Sequence, residues 1–183
     1  MDDNRILFVD LDGTLIKEDL SNLAFFNHLR KKPFMTLFYV IIFLFKGRPY
    51  LKEKISKNYI VPMHSLTFNK AALDFITNVK NTHRIVYLIS GSHQYLVDQI
   101  HNHLKIFFKS FGTKEDFNMV GINKVTFIKK SLNIHEFQYF GNSIQDLPIW
   151  NFCKKIIYTN ANKKLKKIIL SSKLEQKEIK ENF

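Results

Sequence analysis

Five short apolar runs, spaced along the chain by helix-length segments, constrain the fold more than any other feature. They are RILFVD (5–10), RIVYLIS (84–90), KIFFKSFG (105–112), FQYFG (137–141) and KIIYTN (155–160). The intervening segments 69–81, 93–104, 121–133 and 144–153 have helical length. Strands that are apolar throughout are covered on both faces, and strands alternating with helices join in parallel through crossovers. The pattern predicts a parallel, doubly wound α/β sheet. One gap breaks it. Between Thr14 and about Asn69 there are only helical stretches, DLSNLAFFNHLRKK, PFMTLFYVIIFLF and PYLKEKISKNYI, separated by Pro33 and by Gly47-Arg48-Pro49. A small helical unit inserted after the first strand is expected, giving a core of residues 1–15 and 69–183 and an insertion of 16–68.

A length of 183 residues suits one domain with such an insertion. The single cysteine, Cys153, cannot close an internal disulfide and suits a reducing compartment. The start, MDDNRILFVD, is acidic and runs at once into a strand, the reverse of a secretory leader, so a cytoplasmic location is expected. The net charge of +12 suggests acidic partners such as phosphate esters, anionic lipid or nucleic acid. The lysines are nevertheless spread along the chain, with one dense region at 162–183. Much of the charge reads as solvated surface, and nucleic acid is the least favoured partner.

Ligands of an open parallel sheet bind beyond the C-terminal ends of its strands. Here those ends carry DLDGT, SGS and GNSIQD, which bring Asp10, Asp12, Ser90, Gly91 and Asp146 toward one crevice. Each is ordinary alone: an acid after a strand is commonly a helix cap, and SGS or GNS is commonly a turn. Together, two or three acids in one crevice repel one another unless a cation joins them. A hard, oxygen-preferring ion, Mg²⁺, meets that need.

These motifs resemble a known family. VDLDGTL is similar to motif I of the haloacid dehalogenase (HAD) superfamily of phosphatases and phosphotransferases, LISGS to motif II, and GNSIQD to motif IV, which usually has Asp in place of Asn142. The insertion stands where the phosphoserine-phosphatase-like branch carries its helical C1 cap. The resemblance implies a HAD-like Rossmannoid core with a parallel sheet and an all-helical cap. A finer likeness links DLDGTLIKEDL, FKGRPYLK, NMVGINK and YFGNSIQDLPIW to the module fused in many bacteria to UbiA-type membrane prenyltransferases.

The resemblance implies a Mg²⁺-dependent phosphomonoesterase working through an aspartyl-phosphate, on a small or lipid-linked phosphate ester. Asp10 would be the nucleophile, and Asp12 the acid and then the base. Ser90 and the Gly91 N–H would hold phosphoryl oxygens with Lys124, the best match to motif III, and Thr14 would cap the turn and contact substrate. Asp10, Asp12 through its backbone carbonyl, Asn142 and Asp146 would serve the metal. Lys129 and Lys130 read as surface, and His93, His101 and His103 as helix surface or cap contacts. The alternative is a weak or inactive HAD-like binding module partnering a membrane prenyltransferase.

The run FMTLFYVIIFLF (34–45) is bracketed by RKKP and KGRP. It is shorter than the roughly 20 residues a bilayer span needs. A helix apolar all round is either buried or against lipid. A buried helix is the plainer expectation, and a membrane-surface patch with basic flanks is the other.

Overall fold

The computed structural model describes residues 5–183; residues 1–4, where the reading of the N-terminus began, lie outside the described residues. Six strands form one sheet: β1 (Ile6–Val9), β2 (Val86–His93), β3 (Lys109–Thr113), β4 (Phe137–Gly141), β5 (Lys155–Tyr158) and β6 (Glu175–Glu178). Their order is β3-β2-β1-β4-β5-β6, with every pairing parallel. The chain winds outward from β1 through β2 and β3, then returns to the other side of β1 and winds outward again. The switch point therefore lies between β1 and β4, where Leu7 is in register with Gln138 and Val9 with Phe140.

Period-two alternation sends successive β1 residues to opposite layers. Leu7 and Val9 join one core cluster, with Leu88, Phe140 and Ile157; Phe8 joins the other, with Ile89, Phe137 and Tyr139. Two helices, α3 (Lys70–Asn81) and α4 (Gln94–Leu104), cover the first face through Ala72, Ile76, Val79, Leu96, Val97 and Ile100. The opposite face is covered by α5 (Ile122–Thr126), the π-helical turn that follows it, α6 (Leu147–Trp150) and α7 (Lys163–Leu170). Helix starts follow local capping rules: Asn69 Oδ1 accepts from the Ala72 N–H, and Asn162 Oδ1 from the Leu165 N–H.

The insertion holds α1 (Leu20–Lys31) and α2 (Pro33–Ser56). Its two ends are pinned together: the Lys17 N–H donates to Thr67 O at 3.0 Å and the Asn69 N–H to Leu15 O at 2.8 Å. The two later helical stretches, numbered together as α2, are separated as expected at Gly47, whose φ of 78° and ψ of 179° bend the axis ahead of Pro49.

Three expectations are corrected. First, β2 runs past Ser90 to His93, with a register irregularity between Ile89 and His93, so SGS is the bulged end of a strand rather than a loop. Second, a sixth strand and α7 lie in the basic C-terminal region, with Lys155–Glu175 and Lys166–Glu178 ion pairs at the sheet edge. Third, the 34–45 run is not buried. Thr36 is its one buried residue, while Phe34 is 87% and Phe45 86% exposed.

Candidate active site

The chain leaves β1 at Val9 and turns at once. Leu11 O accepts from the N–H groups of Thr14, Leu15 and Ile16, and Gly13 adopts φ 75°. Glycine is favoured there by its backbone conformation, and the space is tight. A Cβ would meet the left-handed backbone penalty, and it would also lie 2.2 Å from Nδ2 of Asn142, which arrives from the end of β4. That close approach joins the two loops at the switch point. Between them opens a cavity of about 420 Å³, lined by Asp10, Asp12, Lys124, Asn142 and Asp146 from the sheet side.

Asp10 is 8% exposed. Its Oδ1 accepts from Lys124 Nζ at 2.6 Å, and Thr14 Oγ1 lies 3.4 Å from Oδ2. Burial pushes its carboxyl up to about 7; Lys124 pulls it down, while Asp146 and then Asp12 push it further up. Asp12 is held by three donors: the Leu20 N–H on Oδ1 at 2.9 Å, and the hydroxyls of Ser90 and Ser92 on Oδ2, both at 2.8 Å. Burial raises its carboxyl above the ordinary range, with the Asp19 charge adding to the rise, and these hydrogen bonds oppose it.

Lys124 reaches Asp10 from α5 and also donates to the Tyr139 hydroxyl at 2.8 Å. Tyr139 in turn donates to Asp146 Oδ1 at 2.8 Å. A buried chain Asp10–Lys124–Tyr139–Asp146 thus fixes the ammonium between two carboxylates. Asp146 Oδ2 accepts from the N–H groups of Asn142 and Ser143, each at 3.0 Å, and from the Ser143 hydroxyl at 3.2 Å. These contacts form a capping box that shapes the loop after β4.

The structure therefore gathers Asp10, Asp12, Lys124, Asn142, Asp146 and Gly91 around one cavity, but not all of the expected set. Ser90 and Thr14 are fully buried and do not line it. Their hydroxyls face Asp12 and Asp10, because the bulged end of β2 and the tight turn after β1 direct them inward. In this arrangement the Ser90 hydroxyl donates to Asp12 and the Thr14 hydroxyl to Asp10. Asp146 lines the cavity and, through its hydrogen bonds to Asn142, Ser143 and Tyr139, also organises the Asn142 loop. Lys129 stands over the Phe152 ring, away from the cavity, and His93 caps α4 by accepting the Tyr95 N–H on Nδ1.

Several cavity residues lie outside the expected set. Arg48 and Lys52 enter from the second half of α2, and Asp19, Ser21 and Asn22 from the start of α1. Lys52 Nζ donates to Gly91 O at 2.6 Å and to Asn118 Oδ1 at 3.3 Å. It has no carboxylate within ion-pair distance among the described residues, and burial lowers its pKa against the pull of Asp12 and Asp19. The signal was in FKGRPYLK, where Arg48 and Lys52 are four residues apart and share a helix face.

No family model matches the sequence. The uncharacterized protein y4nM of Sinorhizobium fredii is 35% identical over 144 residues, which are 79% of this chain and 28% of that protein. The chain thus spans little more than a quarter of that relative. Among solved structures, a protein of unknown function from Bordetella pertussis Tohama I superposes with a TM-score of 0.67 at 13% identity, over 96% of this chain and 99% of its own. A phospho-aspartyl intermediate analogue of phosphoserine phosphatase superposes with a TM-score of 0.57 at 15% identity, over 98% and 95%. The order of strands, the parallel winding and these superpositions give one conclusion: the chain has the Rossmann-like α/β fold of the HAD superfamily.

Proposed function

We propose that the chain is a phosphomonoesterase in which Asp10 attacks phosphorus. One observation carries this reading: a buried carboxylate at the switch point, fixed by Lys124 at 2.6 Å and opening into a cavity with two further cations, Arg48 and Lys52. Such a site favours a phosphorylated ligand, because the fixed cations offset the charge of its oxygens without reorganising. In the first step an Asp10 oxygen bonds to phosphorus as the ester P–O bond breaks, and Asp12 gives its proton to the departing alkoxide. In the second, Asp12 takes a proton from water, the water oxygen bonds to phosphorus and the Asp10–phosphorus bond breaks. Ser90, Ser92 and the Leu20 N–H hold Asp12 in place for both transfers. The raised Asp12 carboxyl suits a group that must carry a proton and then release it.

The residues fit a Mg²⁺ ion. Among the described residues no three His, Cys, Asp or Glu side chains gather to hold a metal, so an all-carboxylate cage is not the arrangement. A mixed oxygen set is available: the Asp10 carboxylate, the Asp12 backbone carbonyl and the Asn142 amide oxygen. The Asn142 side chain lines the cavity and is otherwise without a hydrogen bond among the described residues. When bound, the ion lowers the repulsion between an anionic nucleophile and an anionic phosphate.

The helices of 16–68 act in this reading as a cap that selects the substrate, a phosphate ester that is small or lipid-linked. The likeness to modules fused to prenyltransferases is in keeping with a relative that extends well beyond the matched region. The test is turnover of an aryl phosphate with Mg²⁺. The parent releases phosphate, Asp10→Asn abolishes release, and Asp12→Asn reduces it by about a hundredfold or more. Unchanged turnover in Asp10→Asn overturns the assignment.

A further inference from the structure

The first half of α2 has an outer face that the rest of the described chain leaves bare. Phe34, Leu37, Phe38, Ile41, Leu44 and Phe45 recur at spacings of three and four residues and are 51–87% exposed, with the two phenylalanines that bound the stripe at 87% and 86%. The opposite face is the one that packs. There Thr36 is buried, its hydroxyl donating to Lys32 O at 2.9 Å and meeting His28 Nδ1 at 2.7 Å. A contiguous apolar stripe of this kind is far from ordinary scattered surface hydrophobics and marks an interaction site.

Charge identifies the occupant. No acidic residue occurs between Asp19 and Glu53, whereas Arg30, Lys31 and Lys32 precede the stripe and Lys46 and Arg48 follow it. An apolar helix face with cations at both ends and no anions matches an anionic bilayer surface, where the side chains enter the acyl boundary and the cations meet headgroups. From these observations we infer that this chain docks on anionic membranes through the outer face of residues 33–45.

The geometry selects lying on the bilayer over crossing it. Residues 33–45 make about 20 Å of helix, short of the roughly 30 Å hydrocarbon core. The helix reaches a spanning length only if its second half is included. That half, beyond the Gly47 bend, carries Arg48, Lys52, Glu53 and Lys54. It is anchored by buried Tyr50 and Ile55 and by Lys52 on Gly91 O. Spanning would strip these contacts; surface docking keeps them and leaves the cavity residues Arg48 and Lys52 joined to a membrane-bound helix.

The experiment is co-sedimentation of the whole chain with vesicles of phosphatidylcholine alone and of phosphatidylcholine mixed with phosphatidylglycerol, with sedimentation velocity on the protein alone. The parent is expected to bind the mixed vesicles, and more weakly as salt rises. Phe34→Ser/Phe45→Ser should weaken that binding about tenfold or more, and Arg30→Gln/Lys31→Gln/Lys32→Gln should weaken it and flatten the salt dependence. Both variants should keep the parent's thermal midpoint, because these side chains are solvent-exposed. Failure of the parent to bind mixed vesicles overturns the inference. So does unchanged binding in Phe34→Ser/Phe45→Ser, or a parent dimer that this variant dissolves while no vesicle is bound.

Discussion

Asp10 lies in surroundings that resist its charge, and this gives the site a pH signature. Its folded value of about 7 stands above the ordinary 3.8, so its contribution to stability is full below about pH 4 and is lost as pH rises through 7. A divalent cation needs the ionised form. Mg²⁺ should therefore add little to thermal stability at about pH 5 and about 1–3 kcal/mol at about pH 8 when saturating. Differential scanning fluorimetry across pH checks this; an equal shift at both ends would rule out Asp10 as a ligand. In the same titrations Asn142→Asp should tighten Mg²⁺ about tenfold, since it adds a formal charge facing the cation, and Asn142→Ala should weaken it. The pairing of Asp10 with Asp12 and Lys124 was legible, because strand-end acids and a motif lysine are local patterns. The inward turn of the Ser90 hydroxyl was not: which way a hydroxyl points at a bulged strand end depends on neighbours far away in sequence, here Asp12, 78 positions from Ser90.

Helix α2 carries two different surfaces on either side of Gly47. Its second half presents Lys52 to the cavity and to Gly91 O, tying the inserted helices to the end of β2. Lys52→Met should raise KM for an anionic phosphate ester about tenfold, with a smaller effect on kcat, because the lysine stands beside the cavity rather than against Asp10. Steady-state kinetics on the parent and variant check this, and a fall confined to kcat would contradict it. The helical character of the segment after β1 could be read from the absence of strand runs. Its packing could not. An apolar run predicts burial only if a partner surface exists, and among the described residues none covers the outer face of the first half of α2. Likewise Arg48 reads as a flanking charge in sequence, and its place at the cavity follows from the fold beyond Gly47.

Across the whole molecule, alternation of apolar runs and helical segments made the parallel sheet legible, and the strand ends located its crevice. The sixth strand escaped because EQKE, at 175–178, is polar throughout: an edge strand beside β5 needs little apolar surface. It makes the basic C-terminal region part of the fold, with Leu165 and Ile169 of α7 buried at 2% and 1% exposure. Ending the chain at Asn162 should cost about 3–6 kcal/mol from those two side chains alone. Chemical denaturation would register it, whereas a solvated tail would leave stability unchanged. The central claim is covalent catalysis at Asp10, and trapping the intermediate tests it most directly. With an aryl phosphate the leaving group departs without help from an acid, so Asp12→Asn should slow mainly the second step. Mixing Asp12→Asn with aryl phosphate and Mg²⁺, quenching in acid and mapping peptide masses should place a phosphoryl increment on the peptide that carries Asp10. Turnover by the parent with no such increment in the variant, or with the phosphoryl group on another residue, would contradict the account.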